Sequence, residues 1–155
     1  VASIPTSAFG YNASEGTVFV EAFGINRNSE TRLLEIYNSS PLAIILVILA
    51  RLSDPNITGV TYVNGSTQAE LNLATFTQGN IKAAYTAKNN DFAGVANGGT
   101  VQTDTVGVLG DTAASRMDIG FTNRSPSNSY INGHIKSIKY YPRRLTNAQL
   151  QELTQ

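Results

Sequence analysis

The stretch that decides the fold reads Asn132-Gly133-His134-Ile135-Lys136-Ser137-Ile138-Lys139-Tyr140-Tyr141-Pro142-Arg143-Arg144-Leu145-Thr146-Asn147-Ala148-Gln149-Leu150. Its Asn-Gly pair suits a turn that needs positive φ, and the Ile and Tyr content that follows favours a strand. Pro142 has no backbone N–H and therefore ends regular pairing. Thr146 and Gln149 have the spacing of a capping box, so the pattern predicts a long final strand and one short helix.

The composition of the 155-residue chain points to an all-β protein with many turns. The length is that of one domain, 1–155, and the start at Val1 rather than Met predicts a fragment or processed product. Eleven basic and eleven acidic residues cancel, and no basic run occurs, which argues against a nucleic-acid partner. The apolar run at 42–50 is about half of the ~20 residues that a transmembrane helix needs, so membrane insertion is not predicted.

Strand patterns recur at short spacing and are separated by turn residues. They predict strands at 17–23, 32–37, 42–50, 58–63, 66–73, 80–87, 92–96, 100–105 and 117–121. Asn64-Gly65 is a strong hairpin signal between two of them. Residues 1–14 are polar and predicted to be irregular, with Phe9 and Tyr11 as anchors onto the domain. The expected architecture is a β-sandwich with one terminal helix.

The run at 42–50 is apolar at every position, whereas a strand with one face in water would alternate. Its Ile and Val content favours a strand over a buried helix. If it is a strand, its second face must be hidden by the terminal helix, by the N-terminal segment or by another subunit, because exposed it would form an aggregation-prone patch.

Several stretches resemble a known group. The pattern Gly-x-Ile-x-x-Ile-x-Tyr-Tyr-Pro-Arg-Arg-Leu-Thr-x-Ala-x-Leu at 133–150 resembles the closing motif of concanavalin A-like jelly rolls, which include the laminin-G and pentraxin groups. More narrowly, the same pattern at 133–150 resembles C-terminal domains of bacteriophage and prophage tail proteins, and segments 11–21, 84–93, 97–105 and 117–120 are similar to that group in the same order. The resemblance covers nearly the whole chain.

The resemblance implies a fold and a function. The fold is an all-β concanavalin A-like jelly-roll β-sandwich of two antiparallel sheets with a short C-terminal helix. The function is that of a non-enzymatic module of a phage tail fibre or tailspike, on the virion or outside the cell, which binds a host cell-surface glycan. A homotrimer would suit a tail fibre. Two alternatives remain open: a structural or oligomerisation domain without a glycan ligand, and a polysaccharide hydrolase or lyase.

Catalysis has little support in the acidic residues. Glycoside hydrolases with the jelly-roll fold carry alternating carboxylates on one strand, but no two of the eleven acidic residues here stand at i, i+2. A cross-strand pair remains open. His134 is the single histidine, and its place in a strand beside a turn predicts a ring that packs against a neighbour rather than a Ser-His-Asp triad.

A sugar site needs an aromatic face beside Asn, Asp or Arg groups that bind hydroxyls. Residues of these types in loops or next to them are the predicted ligand-binding set: Asn56, Tyr62, Asn64, Asn89, Asp91, Asn123, Arg124 and Tyr130. Tyr85, Phe92 and Tyr140 lie within strand patterns and are expected in the core.

Metal chemistry is restricted by the residue types present. The chain has no cysteine and one histidine, which excludes thiolate sites and sites built on several histidines. No cofactor is predicted. Calcium stays an open alternative, because oxygen ligands from Asp54, Asn56 and Asp111 could gather at an edge of the sandwich.

Overall fold

The structure, a computed structural model, describes residues 2–26, 30–38, 43–50, 55–77, 79–109, 114–122 and 129–155. Within these ranges its strands and helix are, in chain order, β1 (Ala2–Pro5), β2 (Glu15–Phe23), β3 (Thr31–Asn38), β4 (Ala43–Ala50), β5 (Asn56–Val63), β6 (Ser66–Thr75), β7 (Ile81–Lys88), β8 (Asp91–Ala96), β9 (Gln102–Asp104), β10 (Arg116–Ile119), β11 (His134–Tyr141) and α1 (Asn147–Thr154). Each strand predicted from residue 17 onward is present, although β9 is shorter than predicted.

The strands form two antiparallel sheets that pack face to face. One sheet has the order β1-β10-β3-β4-β5-β6 and the other has the order β11-β2-β7-β8-β9. Their inward-facing residues meet in one main core, to which β2 contributes Val18 and Val20 and β3 contributes Leu34 and Ile36, all 0 % exposed. This arrangement confirms the predicted jelly-roll sandwich with a short C-terminal helix.

Tyr85 of β7 fills the centre of the core between the sheets. It is fully buried, and its hydroxyl is hydrogen-bonded at 2.9 Å to Oγ1 of Thr61, which lies on β5 in the opposite sheet. Gly59, also on β5, faces the ring so closely that a Cβ there would collide with it. Glycine is therefore required at 59 by the close approach of the two sheets. The predicted core positions of Tyr85 and Phe92 are confirmed.

The closing stretch forms the edge strand β11, which pairs with β2. After Pro142 the chain turns away from the ladder and is fastened to β2 by Thr17. The Thr17 hydroxyl donates to the carbonyl oxygen of Arg143 at 2.8 Å and accepts the Leu145 N–H at 3.1 Å. These two bonds satisfy backbone groups that the proline stop would otherwise leave unpaired.

Helix α1 packs on the outer face of the five-stranded sheet. Its Leu150 and the preceding Leu145 form a small buried cluster with Phe19, Ala84 and Val95. The predicted capping box is confirmed: the Thr146 hydroxyl accepts the Gln149 N–H at 3.3 Å, and the Gln149 side chain accepts the Thr146 N–H at 2.9 Å. The suggestion that α1 covers the 42–50 strand is wrong, because that strand belongs to the other sheet.

Replacing Thr146 with alanine should lower the free energy of unfolding by about 0.5–2 kcal/mol, since the first turn of α1 loses its side-chain acceptor. Chemical denaturation followed by circular dichroism measures the change. Thr103→Ala, at an exposed position on β9, is the matched control and should stay within about 0.5 kcal/mol of the parent. Equal losses in the two variants would contradict a capping role.

Strand β4 confirms that the apolar run is extended. Leu46 and Ile48 face the main core, whereas Val47 and Leu49 face outward and pack with Val60. All five are at most 1 % exposed within a single chain. Over residues 46–50, where burial is described, another subunit is therefore not needed to hide the outward side of this strand. The N-terminal segment does not hide it either, because β1 is separated from β4 by β10 and β3.

The N-terminal segment is more regular than predicted. Residues Ala2–Pro5 form β1, which pairs with β10, so the prediction of irregular structure is wrong there. This ladder joins residues more than 110 positions apart, and four residues carry no periodic pattern of their own. The anchoring prediction is confirmed: the Phe9 ring packs edge-on against Tyr140 at 5.0 Å between centroids, and the Tyr11 ring also stacks on Tyr140.

Candidate functional site

The outer face of the six-stranded sheet, the side turned away from the core, carries a row of residues from adjacent strands. In register, Asp118 on β10 lies opposite Glu35 on β3, Glu35 opposite Val47 on β4, and Val47 opposite Val60 on β5. The chain neighbours of these residues face the main core, so strand alternation places all four on the outer face. Two carboxylates therefore stand side by side next to an apolar floor.

Glu35 is fully buried, and neighbouring hydrogen-bond donors compensate its negative charge. Its carboxylate accepts from Arg32 Nη1 at 3.1 Å and from Thr122 Oγ1 at 2.6 Å. The other terminal nitrogen of Arg32 donates to Glu30 at 2.8 Å. Burial of a carboxylate costs several kcal/mol unless it is paired and hydrogen-bonded, so Arg32 is held here as a structural counterion.

Arg116 is anchored differently and remains partly open to solvent. Its Nε donates to the Tyr37 hydroxyl at 2.6 Å and lies 3.4 Å from the Asp118 carboxylate, while its guanidinium carbon sits 5.1 Å from the centre of the Tyr37 ring. Its side chain is 31 % exposed. The two terminal amino groups of Arg116 form no hydrogen bond with the residues that the structure describes, so they can receive an external acceptor.

The environment of Tyr37 explains how this arginine is fixed. Burial raises the pKa of the Tyr37 phenol, the nearby Asp118 charge raises it further, and the Arg116 guanidinium opposes both. The phenol therefore stays neutral at physiological pH and acts as a stable acceptor for Arg116. An arginine clamped at Nε presents its other edge with little further loss of side-chain entropy on binding.

Tyr62 completes this arrangement on β5. Arg116, Tyr37 and Tyr62 lie in register on β10, β3 and β5, with β4 between the last two. Arg116 and Tyr62 are therefore three strand spacings, or about 14 Å, apart. Tyr62 is half-buried and packs beside the apolar cluster of Tyr37, Val47, Leu49 and Val60. We call Arg116, Tyr37 and Tyr62 the arginine–tyrosine row. It offers cationic donors at one end and an aromatic side chain over an apolar floor at the other, which are the elements of a sugar site.

The predicted ligand-binding residues are divided between the two sheets. Tyr62 lies in the arginine–tyrosine row, Asn56 begins the same strand, and Asn64 occupies the hairpin tip with φ +51°, which is turn chemistry. Asn89 and Asp91 belong to the other sheet. The Asn89 side chain accepts the Leu109 N–H at 2.7 Å, and Asp91 binds the Arg144 guanidinium at 2.8 Å.

Tyr130 is the exposed aromatic of that predicted set. It is 51 % exposed and stacks nearly parallel on Phe121, with ring centroids 6.4 Å apart. Phe121 adjoins Thr122, whose hydroxyl reaches Glu35, so this pair lies beyond the opposite end of β10 from Arg116. The remaining two predicted residues, Asn123 and Arg124, lie outside the described residues.

Sequence reasoning missed Arg116 and the buried charges around it. Glu35 and Asp118 are more than 80 residues apart, and their adjacency appears only when β3 and β10 pair. A signal was available: each carboxylate interrupts a strand between two apolar residues, Leu34 and Ile36 in one case and Met117 and Ile119 in the other. A charged residue at the outward position of a covered strand needs a partner nearby.

The two carboxylates are the cross-strand pair that the sequence left open, but their setting does not suit hydrolysis. A glycosidase needs one carboxyl group as acid and another as nucleophile or base in contact with the sugar. Glu35 and Asp118 are both 0 % exposed and bound to arginines. The prediction for His134 is confirmed, since its ring stacks on Phe23 at 5.0 Å between centroids.

Among the described residues no three histidine, aspartate or glutamate side chains come together as a metal site. Asp54 and Asp111, proposed as calcium ligands with Asn56, lie outside those residues. No helix within the described ranges is long and apolar enough to cross a membrane.

Solved structures similar to this chain have the same fold. No protein-family model and no curated protein sequence matches the chain. Its fold is similar to that of the CBM40 module of a Ruminococcus gnavus IT-sialidase bound to alpha2,3 sialyllactose, with TM-score 0.71 and 18 % identity over 92 % of this chain and 83 % of that one. A heptameric SAP-like pentraxin from Limulus polyphemus aligns with TM-score 0.70 and 16 % identity over 92 % and 70 % of the two chains.

A more distant similarity extends to a galectin. Sheep galectin-11, in complex with glycerol, aligns with TM-score 0.57 and 12 % identity over 90 % of this chain and 96 % of that one. At such identities the similarity establishes the jelly-roll fold, and the chemistry of the site has to be argued from this chain's own residues.

Proposed function

We propose that the protein is a non-enzymatic carbohydrate-binding module whose arginine–tyrosine row holds an acidic glycan. The observation that carries the proposal is Arg116: it is clamped at Nε by Tyr37 and Asp118, yet its terminal amino groups are free of hydrogen bonds to described residues and its side chain is 31 % exposed. A guanidinium edge of this kind recognises a carboxylate through short, charge-assisted hydrogen bonds. Tyr62 then offers an aromatic surface to a neighbouring sugar ring.

Two further observations support this proposal. The CBM40 module of similar fold is bound to sialyllactose, a glycan that ends in a carboxylated sugar, which suggests the first ligand to try. The buried carboxylates Glu35 and Asp118 hold the arginines in place rather than facing solvent, which favours binding over hydrolysis. Digestion of a polysaccharide by the pure protein would contradict the non-enzymatic part of the proposal.

The proposal predicts that 3′-sialyllactose binds and that Arg116→Gln weakens the binding about 10- to 100-fold, since a hydrogen bond to a charged group contributes about 1.5–3 kcal/mol. Isothermal titration calorimetry measures the affinity. Lactose, which lacks the carboxylate, should bind at least tenfold more weakly. The matched control is Lys88→Gln, an exposed lysine at the end of β7 on the other sheet, and it should leave sialyllactose affinity unchanged.

Three results would contradict the proposal. They are equal affinity for lactose and sialyllactose, equal loss of affinity in Arg116→Gln and Lys88→Gln, and no binding of either sugar at millimolar concentration. Thermal unfolding of Arg116→Gln must be measured alongside, because its Nε also contacts Tyr37 and Asp118. Tyr62→Ala gives an independent reading of the same row, since this side chain is half-buried rather than part of the main core.

We further propose that this module works within a bacteriophage or prophage tail protein, on the virion, where its glycan is a host-surface sugar. The resemblance of 133–150 to tail-protein domains supports this placement. A homotrimer would match a tail fibre, and sedimentation velocity measures the oligomeric state. A stable trimer that binds no glycan on an array would favour the structural alternative over the recognition role.

A further inference from the structure

A cleft lies on the opposite side of the sandwich from the arginine–tyrosine row, between strand β11 and helix α1. It is a cleft of about 540 Å³ on the outer face of the five-stranded sheet. We call it the helix cleft. Lys139 and Tyr141 of β11 form one side, Glu152 and Leu153 of α1 form the other, and Arg143 lies between them in the connecting turn. The volume lies within the range of small-ligand sites.

The helix cleft carries an excess of positive charge. Lys82, Lys139 and Arg143 line it together with a single acid, Glu152. Of the four arginines that the structure describes, Arg32, Arg116 and Arg144 form ion pairs and Arg143 does not. An exposed guanidinium that has no partner in a cleft with two lysines gives the cleft a positive potential, and concave walls focus such a potential.

The positions of these cations are partly fixed. The Lys139 ammonium group lies 5.5 Å from the centre of the Phe19 ring, a cation–π contact that holds it over the sheet. Lys82 donates to the Gln155 carbonyl oxygen. Tyr141 is half-buried and packs against the cluster that contains Leu145 and Phe19, which holds its ring in place.

We infer that the helix cleft binds an anionic oligosaccharide. The carboxylate or sulfate groups of the oligosaccharide would lie at Lys139 and Arg143, and one of its sugar rings would pack against Tyr141. This inference does not depend on the ligand of the arginine–tyrosine row. A supported aromatic next to charged donors suits a charged sugar. Nucleic acid is a poorer fit, because the chain has no net charge and no basic stripe. A peptide strand is a poorer fit as well, since the cleft lies over the side chains of β11 and not along its backbone edge.

The test compares acidic and neutral oligosaccharides by calorimetry. A heparin-derived tetrasaccharide carries sulfate and carboxylate groups, tetragalacturonate carries carboxylates alone, and maltotetraose is neutral. Binding of both acidic probes assigns the cleft to anionic sugars in general, whereas binding of the heparin fragment alone assigns it to sulfated ones. Lys139→Gln/Arg143→Gln should weaken the binding tenfold or more, and raising the salt concentration should weaken it in the parent protein.

The control removes the same charge elsewhere. Lys88→Gln/Lys136→Gln also loses two positive charges at exposed positions but lies outside the cleft, and it should retain the affinity of the parent. The same titrations in an Arg116→Gln background, which lacks the charge of the arginine–tyrosine row, measure binding at the helix cleft alone. The inference is overturned if the two double variants lose affinity equally, if maltotetraose binds as well as the acidic sugars, if neither acidic probe binds, or if a short polyglutamate peptide binds more tightly than both.

Discussion

Replacing Tyr85 with alanine should lower the free energy of unfolding by about 3–5 kcal/mol, the cost of emptying a large aromatic site in a packed core. Tyr85 is fully buried and joins the two sheets through its hydrogen bond to Thr61. Around it the backbone is held close at Gly59, so the sheets cannot collapse far into the space that the ring leaves. Urea unfolding followed by circular dichroism and tyrosine fluorescence measures the difference.

The matched control for that change is Tyr85→Phe. It keeps the ring and removes only the hydroxyl, so the expected loss is about 0.5–1.5 kcal/mol, the usual net contribution of one hydrogen bond. A loss for Tyr85→Ala no larger than that for Tyr85→Phe would contradict the view that the ring fills the centre of the sandwich. The alanine variant should also weaken the proposed sugar binding at Tyr62, because Gly59 and Tyr62 belong to the same strand.

The parts of the fold that could be predicted from the sequence are those written in local chemistry. Asn64-Gly65 forces a tight hairpin, and the structure gives both residues positive φ, +51° and +79°. Pro142 ends β11, and Thr146 with Gln149 starts α1 as predicted. In each case a residue type has one physical reason to occupy its position, and that reason does not depend on distant parts of the chain.

What could not be predicted depends on partners far away in sequence. Helix α1 could have covered either sheet, and only the pairing of β11 with β2 places it over Phe19 rather than over β4. Strand β1 exists because β10 offers it a ladder. In both cases tertiary contacts determine the outcome, because a short segment takes the structure that its neighbour imposes.

The candidate site shows the same division. Tyr62 was predicted because an aromatic beside a hairpin turn is a local feature. Arg116 was not predicted, because its suitability for binding depends on Tyr37, which lies 79 positions earlier and accepts a hydrogen bond from its Nε. The predicted set contains several asparagines because the chain is rich in them. In the structure, Asn64 forms the hairpin turn with positive φ, and the Asn89 side chain accepts a backbone hydrogen bond.

Raising the pH above 10 should destabilise the protein steeply, because four tyrosines ionise less readily in the folded chain than in the unfolded one. Burial is the largest cause that raises the pKa of Tyr11, Tyr37, Tyr85 and Tyr140 above the usual value of 10.0. Below pH 10 these phenols are neutral in both states and their contribution is fully present. As the pH rises from 10 towards the folded pKa values, the unfolded chain loses protons that the folded chain keeps, so stability falls.

The size of this effect can be assigned to one residue with the phenylalanine variant. For the fully buried Tyr85 the loss is about 1.4 kcal/mol for each pH unit above 10, and Tyr85→Phe should remove that part of the slope. Urea unfolding at intervals between about pH 8 and pH 11.5 gives the slopes of parent and variant, and absorbance at 295 nm follows phenolate formation directly. Thr103→Ala, at an exposed position without a titratable group, is the control and should keep the slope of the parent. Phenolate absorbance that appears near pH 10 in the folded protein for all seven tyrosines would contradict the prediction, since it would mean that water reaches the Tyr85 hydroxyl between the sheets.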